Sequence, residues 1–268
     1  MCDDTTWTAL VEASWRLGDR QLFLTLPNQR GDDVADLQSR MARLGFDCGR
    51  VDGILGPRTA GAIADFQSNC GLVADAMCGA ETIRALERVS THTGTGPGVS
   101  TVRERERMRS GPGSVAHCRV VVGQFGGLSA LTRTLARELR QQGATVMALD
   151  EPDAVAQALA ANHFGADVYI GVESRAEASA VAHFYKVPTF ESVGGRALAE
   201  AIAEELGEIT VLASHSSCAV GMRLPVLRET RMPAVVLAVG PARAAADVVP
   251  QLASAIMRAL QLWISRAQ

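Results

Sequence analysis

Five histidines, six cysteines and twenty-nine acidic side chains are the groups in this chain that could hold a metal ion or move a proton. Their spacing gives none of the patterns such chemistry uses. Cys2, Cys48, Cys70, Cys78, Cys118 and Cys218 include no Cys-x-x-Cys pair, so a structural zinc site has no support. His92, His117, His163, His183 and His215 form no His-x-x-Glu or His-Glu-x-x-His arrangement. Each reads as a surface or satisfied histidine rather than a ligand. Cys70 and Cys78 could approach one another, but small buried thiols are the better reading in a reducing compartment. What remains are polar side chains in turn-rich loops. The loop from Asp52 to Thr59 and the exposed polar side chains Arg58 and Gln67 could contact a glycan or peptide. Further along, Gly123–Gly127 and Glu173–Arg175 mark the strand ends where an open α/β sheet offers ligand space. Ordinary loop and capping duty competes with binding at all of these positions.

The elements that must position the first group are short helices. From Gly31 to Gly45 the apolar residues Val34, Leu37, Met41 and Leu44 recur at helical spacing, and Gly45 closes the helix. The Asp-Gly and Gly-Pro pairs of the following loop mark turns, and Thr59 begins a second helix that buries Ile63 and Phe66. The pattern then repeats in degenerate form, because Ala74–Thr82 matches Val51–Thr59 in its Asp, its second Gly and its Thr. A third helix follows, with Ile83, Leu86 and Val89 on its apolar face. A module this small depends on close packing of its few large apolar residues. Thr6-Trp-Thr-Ala-Leu10 echoes Thr82-Ile-Arg-Ala-Leu86 and reads as the closing helix of an earlier copy, an unrelated amphipathic helix being the alternative.

Thr91 to Ser114 is rich in Thr, Gly, Pro and Ser and reads as a linker; its Arg103–Arg107 charge run is either a short helix or a solvated stretch. After it, strands and helices alternate. Strands are expected at Arg119–Val122, Thr145–Leu149, Val168–Val172, Ala180–Tyr185 and Ala234–Val239. Helices are expected at Leu128–Gln141, Asp153–His163, Gly194–Leu206 and Val248–Ala267. This order argues a mostly parallel sheet covered by helices. The chain is therefore multidomain: an N-terminal helix (1–27), a three-helix module (28–90), a linker (91–116) and an α/β domain (117–268).

A net charge of −3 implies no broad attraction to nucleic acid. No stretch has the length and apolarity to span a bilayer. The N-terminus is acidic and polar where a secretory signal needs a basic region and an apolar run, so a cytoplasmic location is expected.

The module resembles the peptidoglycan-binding repeats found on bacterial cell-wall enzymes. The resemblance rests on Val34-x-x-Leu37-Gln38, Leu44-Gly45, Asp52-Gly53-x-x-Gly56-x-x-Thr59, Ala62, Phe66-Gln67, Gly71-Leu72, Asp75, Gly79-x-x-Thr82 and Leu86. Ala76 departs from it, since the family usually has Gly after the Asp. Gly126-Gly127, Ala166–Val172 and Arg231–Gly240, together with element order, make the second domain similar to zinc-dependent N-acetylmuramoyl-L-alanine amidases. That family holds Zn²⁺ with two His and a Glu and uses a late-strand Glu as general base. The resemblance places Phe125 near the first ligand, runs through Leu128 where an insert bearing the second would stand, and puts Glu173 at the third and Ala238 at the base. It implies no catalytic residues, no metal and no cofactor, with zinc present only if the chain is an active amidase.

The pairing looks like the actinobacterial cytoplasmic amidase homologues that regulate peptidoglycan synthesis. Compared with them, most of a first repeat and a C-terminal tail are missing. The implied function is recognition of a peptidoglycan fragment or precursor, with a peptidoglycan-synthesis enzyme as a possible partner. An active amidase and a scaffold without glycan affinity are the alternatives.

Overall fold

The computed structural model describes residues 11–12, 14–90, 104, 106, 108–109, 111–187, 190–207, 209 and 218–266. The chain divides into two compact units, Met1–Arg103 and Glu104–Gln268. The Thr6–Leu10 echo, most of the linker, His92 and His215 lie outside the described residues.

The first unit holds α1 (Asp32–Arg43), α2 (Pro57–Asn69) and α3 (Ala80–Ser90). Leu37, Met41, Ile63, Phe66 and Leu86 are fully or almost fully buried in one core. Phe46 meets Phe66 edge-on at 5.5 Å. Helices α1 and α2 end alike. The amide of Phe46 donates to Met41 O (3.0 Å) and that of Gly45 to Ala42 O (3.2 Å); Leu72 and Gly71 repeat this with Gln67 O and Ser68 O. This closure requires a left-handed residue after the last turn, and Gly45 (φ 96°) and Gly71 (φ 70°) supply it.

Three expectations for the module are corrected. Helix α2 starts at Pro57, because proline at the first helical position loses no hydrogen bond there, and Thr59 lies inside the helix. Val89 is exposed, and α3 buries Thr82, Ala85 and Leu86. The core also takes in Leu22, ahead of the expected edge at Asn28, because Leu22 and Cys78 exchange backbone hydrogen bonds of 3.2 and 2.7 Å.

The second unit carries β1 (Arg119–Gln124), α4 (Ser129–Gln141), β2 (Thr145–Asp150), α5 (Ala154–Phe164), β3 (Val168–Ser174), β4 (Ser179–Val187), β5 (Phe190–Glu191), α6 (Val193–Leu206), β6 (Cys218–Met222), α7 (Pro225–Glu229), β7 (Ala234–Gly240), α8 (Ala242–Asp247) and α9 (Val249–Arg266). Sheet order is β2-β1-β3-β7-β4-β5, with β6 also paired to β4. Strands β1, β2, β3 and β7 are mutually parallel; β4 runs antiparallel to β7. One sheet face, including Val120, Val122, Ile170, Leu237 and Phe184, packs on α4, α6 and α9 through Leu135, Ile202, Ile256 and Trp263. The alternate residues of the same strands, Tyr169, Gly171, Glu173, Ala238 and His183 among them, therefore share the other face.

The strands β5 and β6 and the helices α7 and α8 are elements the sequence reading did not anticipate. They are 2 and 5, and 5 and 6 residues long, too short for a periodicity to declare itself. No described helix is long and apolar enough to cross a membrane.

Candidate functional site

The module's polar residues form two copies of one knot. In the first, Gln38 Nε2 donates to Asp52 Oδ1 (2.9 Å), Ile54 O (3.0 Å) and Thr59 Oγ1 (3.1 Å). Its Oε1 accepts from the amides of Asp52 (3.1 Å) and Gly53 (2.8 Å). In the second, Gln67 Nε2 donates to Asp75 Oδ1 (2.8 Å), Met77 O (3.0 Å) and Thr82 Oγ1 (3.0 Å), and its Oε1 accepts from the Ala76 amide (3.0 Å). In each copy the Asp also accepts from the backbone amide two residues on, Ile54 or Met77, both at 2.9 Å. These bonds, the Met77 amide first and the Gln67 side chain second, hold the Asp75 carboxyl below its ordinary value.

The four candidate module residues thus separate. Thr59 and Gln67 are each only 2% exposed. Gln67, expected to be an exposed polar side chain, is instead a buried strut whose amide is used at both ends. Asp52 is half-buried and its Oδ1 belongs to the first knot. Arg58 is exposed, with its aliphatic stem passing close to Gly49, where an added Cβ would lie 3.3 Å from its Cδ.

At the C-terminal ends of β1, β3 and β7 the structure brings together Phe125, Glu173 and Ala238. The Phe125 amide donates to Val172 O at 3.0 Å, which prolongs the β1–β3 pairing. Its ring lies across Gly171, where a Cβ would stand 3.2 Å from Phe125 Cε2. Glu173 is in register with Ala238, and its carboxylate pairs with Arg175 at 3.3 Å. Gly126 (φ 106°) and Gly127 (φ 79°) then turn the chain straight into α4. Leu128, the residue before α4, is buried in the main core, and its amide donates to Gln124 Oε1 at 3.2 Å.

Zinc needs nitrogen, sulfur or oxygen ligands converging on one point. An arene, a core leucine, one ion-paired carboxylate and a methyl do not provide them. No group of three or more His, Cys, Asp and Glu placed to hold a metal occurs among the described residues. His117 and His163 are exposed.

His183 corrects the reading of the histidines. It sits on β4, in register with Val236, is 7% exposed, and its Nδ1 has no partner among the described residues. Ser179 Oγ, on the same face of β4, is likewise buried without one. Burial lowers the His183 pKa and Arg175 lowers it further, while Glu173 and a backbone bond with Val220 oppose them. Nothing in the spacing of the histidines marks this environment.

A buried network was also missed. Tyr169 OH donates to Gln157 Oε1 (2.7 Å), and Gln157 Nε2 donates to Gln124 O (2.8 Å) and to Glu151 O. Desolvation pushes the Tyr169 phenol upward. The space for it is cleared by Gly123, where a Cβ would fall 1.9 Å from Gln157 Oε1. A glycine inside a strand was the signal available. Among the cysteines, Cys48, Cys78 and Cys118 are the buried thiols expected, each with its pKa pushed up to about 12 by burial. Cys70 and Cys218 are exposed and free, which corrects the expectation of buried thiols at these two positions.

Residues 30–86 match the peptidoglycan binding domain family. The N-acetylmuramoyl-L-alanine amidase CwlM of Mycobacterium tuberculosis is 34% identical over 269 residues, covering 88% of this chain and 65% of its own length. The chain thus spans just under two thirds of that relative. A spore cortex-lytic enzyme of Bacillus cereus is 36% identical over 87 residues, 31% of this chain and 34% of the enzyme. Among solved structures, the amidase AmiC2 of Nostoc punctiforme aligns with a TM-score of 0.45 at 18% identity, over 55% of this chain and 97% of its own. The amidase Ami1 of Mycobacterium smegmatis aligns with a TM-score of 0.46 at 10% identity, over 57% and 99%.

Proposed function

We propose, from the premise that this chain joins a peptidoglycan binding domain to an α/β domain similar to N-acetylmuramoyl-L-alanine amidases, that it recognises peptidoglycan fragments or precursors without hydrolysing them. In this reading it acts in cell-wall metabolism or its regulation, with a peptidoglycan-synthesis enzyme as partner. It works in the cytoplasm, which suits the five free cysteines among the described residues.

The observation that carries the proposal is the side-chain set at the sheet edge. Hydrolysis by a zinc-bound hydroxide needs several ligands and a base in reach of the water. Phe125 and Ala238 supply neither, and Glu173 is engaged with Arg175. The same edge keeps chemistry suited to recognition, since Glu173 and Arg175 present both charges beside an aromatic ring. On the module, Arg58 is the exposed candidate once Thr59, Gln67 and the Asp52 Oδ1 are committed to the scaffold.

Metal analysis of the purified protein, run beside a peptide-release assay on a muramyl-peptide substrate, tests the proposal. The expected result is no stoichiometric zinc and no release. Zinc at one equivalent together with released peptide overturns it and establishes the second reading, an active amidase, which the 34% identity to a relative of that name supports. Calorimetric titration with muropeptides separates recognition from a purely protein-binding scaffold. Heat of binding that weakens in Arg58→Ala is expected, and absence of any heat favours the scaffold.

A further inference from the structure

At the opposite pole of the α/β domain, where β1, β3 and β7 begin, lies a cavity of about 590 Å³. That volume suits a small organic ligand. Its walls are chemically divided. Met232, Trp263 and Ile264 make an apolar side, all of them less than a tenth exposed. The Trp263 indole N–H is spent on Gly194 O at 3.1 Å, so its ring is held as a wall. The lining also includes the exposed cations Arg119 and Arg231. The carboxylate in the lining, Asp167, accepts from the Arg119 amide at 2.7 Å; the Arg119 guanidinium stacks on Phe164 at 4.4 Å and donates to Phe164 O through Nε (3.1 Å) and Nη2, which leaves Nη1 for a ligand.

The remaining wall comes from the chain just before the domain. Met108, Gly111 and Pro112 line the cavity. Met108 closes on Gly194, where an added Cβ would meet its Sδ at 2.9 Å. Glu104 anchors this segment at the start of α6, accepting from Ser192 Oγ (2.6 Å) and from the amides of Val193 (3.2 Å) and Gly194 (3.3 Å). A carboxylate is favoured there by the unpaired amides and the helix dipole. Glu104, from a charge run read from sequence as a short helix or a solvated stretch, therefore has a specific partner.

We propose that this cavity binds an amphiphilic anion, a phosphate or carboxylate head on an apolar chain, with the chain against Trp263, Met232 and Ile264 and the head at Arg119 and Arg231. The site is independent of the sheet edge where Phe125 and Glu173 meet, so it stands or falls separately from the recognition reading.

The full chain, labelled with ¹⁵N, is titrated with decyl phosphate below its micelle concentration while the tryptophan indole signals are followed. Saturable movement of the Trp263 signal is expected, with Trp7 and Trp15 as internal references. Decanol and decyltrimethylammonium should bind at least tenfold more weakly, and inorganic phosphate alone should leave Trp263 in place. In Arg119→Gln/Arg231→Gln the preference for decyl phosphate over decanol should fall toward unity. An unmoved Trp263, equal binding of the three decyl compounds, or an equal response to inorganic phosphate overturns the proposal. The comparison among ligands needs only the unaltered protein, so it decides even if the double variant fails to fold.

Discussion

The buried glutamines of the module and the buried His183 Nδ1 and Ser179 Oγ of the sheet face are handled in opposite ways. In the helical module, Gln38 and Gln67 each use both ends of the amide, and the two knots repeat one another bond for bond around Asp, a backbone carbonyl and Thr. On the sheet face of the α/β domain, His183 Nδ1 and Ser179 Oγ are buried without a protein partner among the described residues. A satisfied amide fixes a loop and has little left to offer a ligand. An unsatisfied ring nitrogen costs stability and is tolerated where something other than stability is being served. The difference places scaffold chemistry in the module's motif and leaves the sheet edge as the region free to change role.

The hardest blow to that contrast is Gln38→Leu. It strips partners from two backbone amides, a carbonyl, a carboxylate oxygen and a hydroxyl at one stroke. A buried group left unpaired costs about 1–3 kcal/mol, so a loss of roughly 3–5 kcal/mol is expected after partial rehydration. Gln67→Leu, with four bonds to lose, should cost less. Urea unfolding of the two variants checks the order. A near-neutral Gln38→Leu would mean the knot is not what holds the loop.

The α/β domain has one satisfied network of its own, Tyr169–Gln157–Gln124, and Gly123→Ala is aimed at it. The new methyl would sit 1.9 Å from Gln157 Oε1 and 2.6 Å from the Tyr169 hydroxyl. Neither is free to withdraw without breaking a buried bond, so overpacking should cost about 1–3 kcal/mol. A crystal structure of the variant should show Gln157 displaced; an unmoved Gln157 with unchanged stability would refute the packing described for β1.

His183 offers a subtler test through pH. Its folded pKa lies below the ordinary 6.5, through burial first and Arg175 second. A group depressed on folding contributes its full stability above the unfolded pKa and loses it as pH falls through the folded one, because the unfolded chain takes up the proton first. Acidification from pH 7.5 to 5.5 should therefore weaken the domain, by at most about 1.4 kcal/mol per pH unit from this group. His183→Gln should have a flatter profile than the parent protein over that window. Parallel profiles would show that the ring is not held neutral.

Much of this architecture can be read from sequence, and the misreadings have physical causes. The parallel strands announce themselves as continuous apolar runs, as in Val235–Val239, since both faces are buried. Short edge elements such as β6 carry too few residues for any period. The sheet-edge positions Phe125, Glu173 and Ala238 were legible only through resemblance, and the structure brings them together. Gln67 was misjudged because glutamine is ordinarily a surface residue, and a single residue type does not disclose that four polar partners surround it. His183 was misjudged for the converse reason. A lone histidine on an apolar strand looks like a satisfied core residue, and only the packing around it shows that one nitrogen is not.

The smallest effect expected is also the one that compares the two knots directly. Gly53 (φ 73°) and Ala76 (φ 59°) occupy the same position after the knot's Asp, and Ala76 is the non-glycine residue with positive φ among those described. The left-handed conformation sets a Cβ against the following carbonyl at a cost of roughly 1–2 kcal/mol, whereas glycine meets no such clash. Ala76→Gly removes that strain but gives the unfolded chain more freedom, which offsets part of the gain. A net stabilisation of about 0.5–1 kcal/mol is expected, read as a higher urea midpoint with unchanged slope. Gly53→Ala should lose about as much, because it installs in the first knot the strain that the second already carries. If both substitutions destabilise, the Ala76 methyl makes a contact worth more than its strain, and the two loops are not equivalent despite their matching hydrogen bonds.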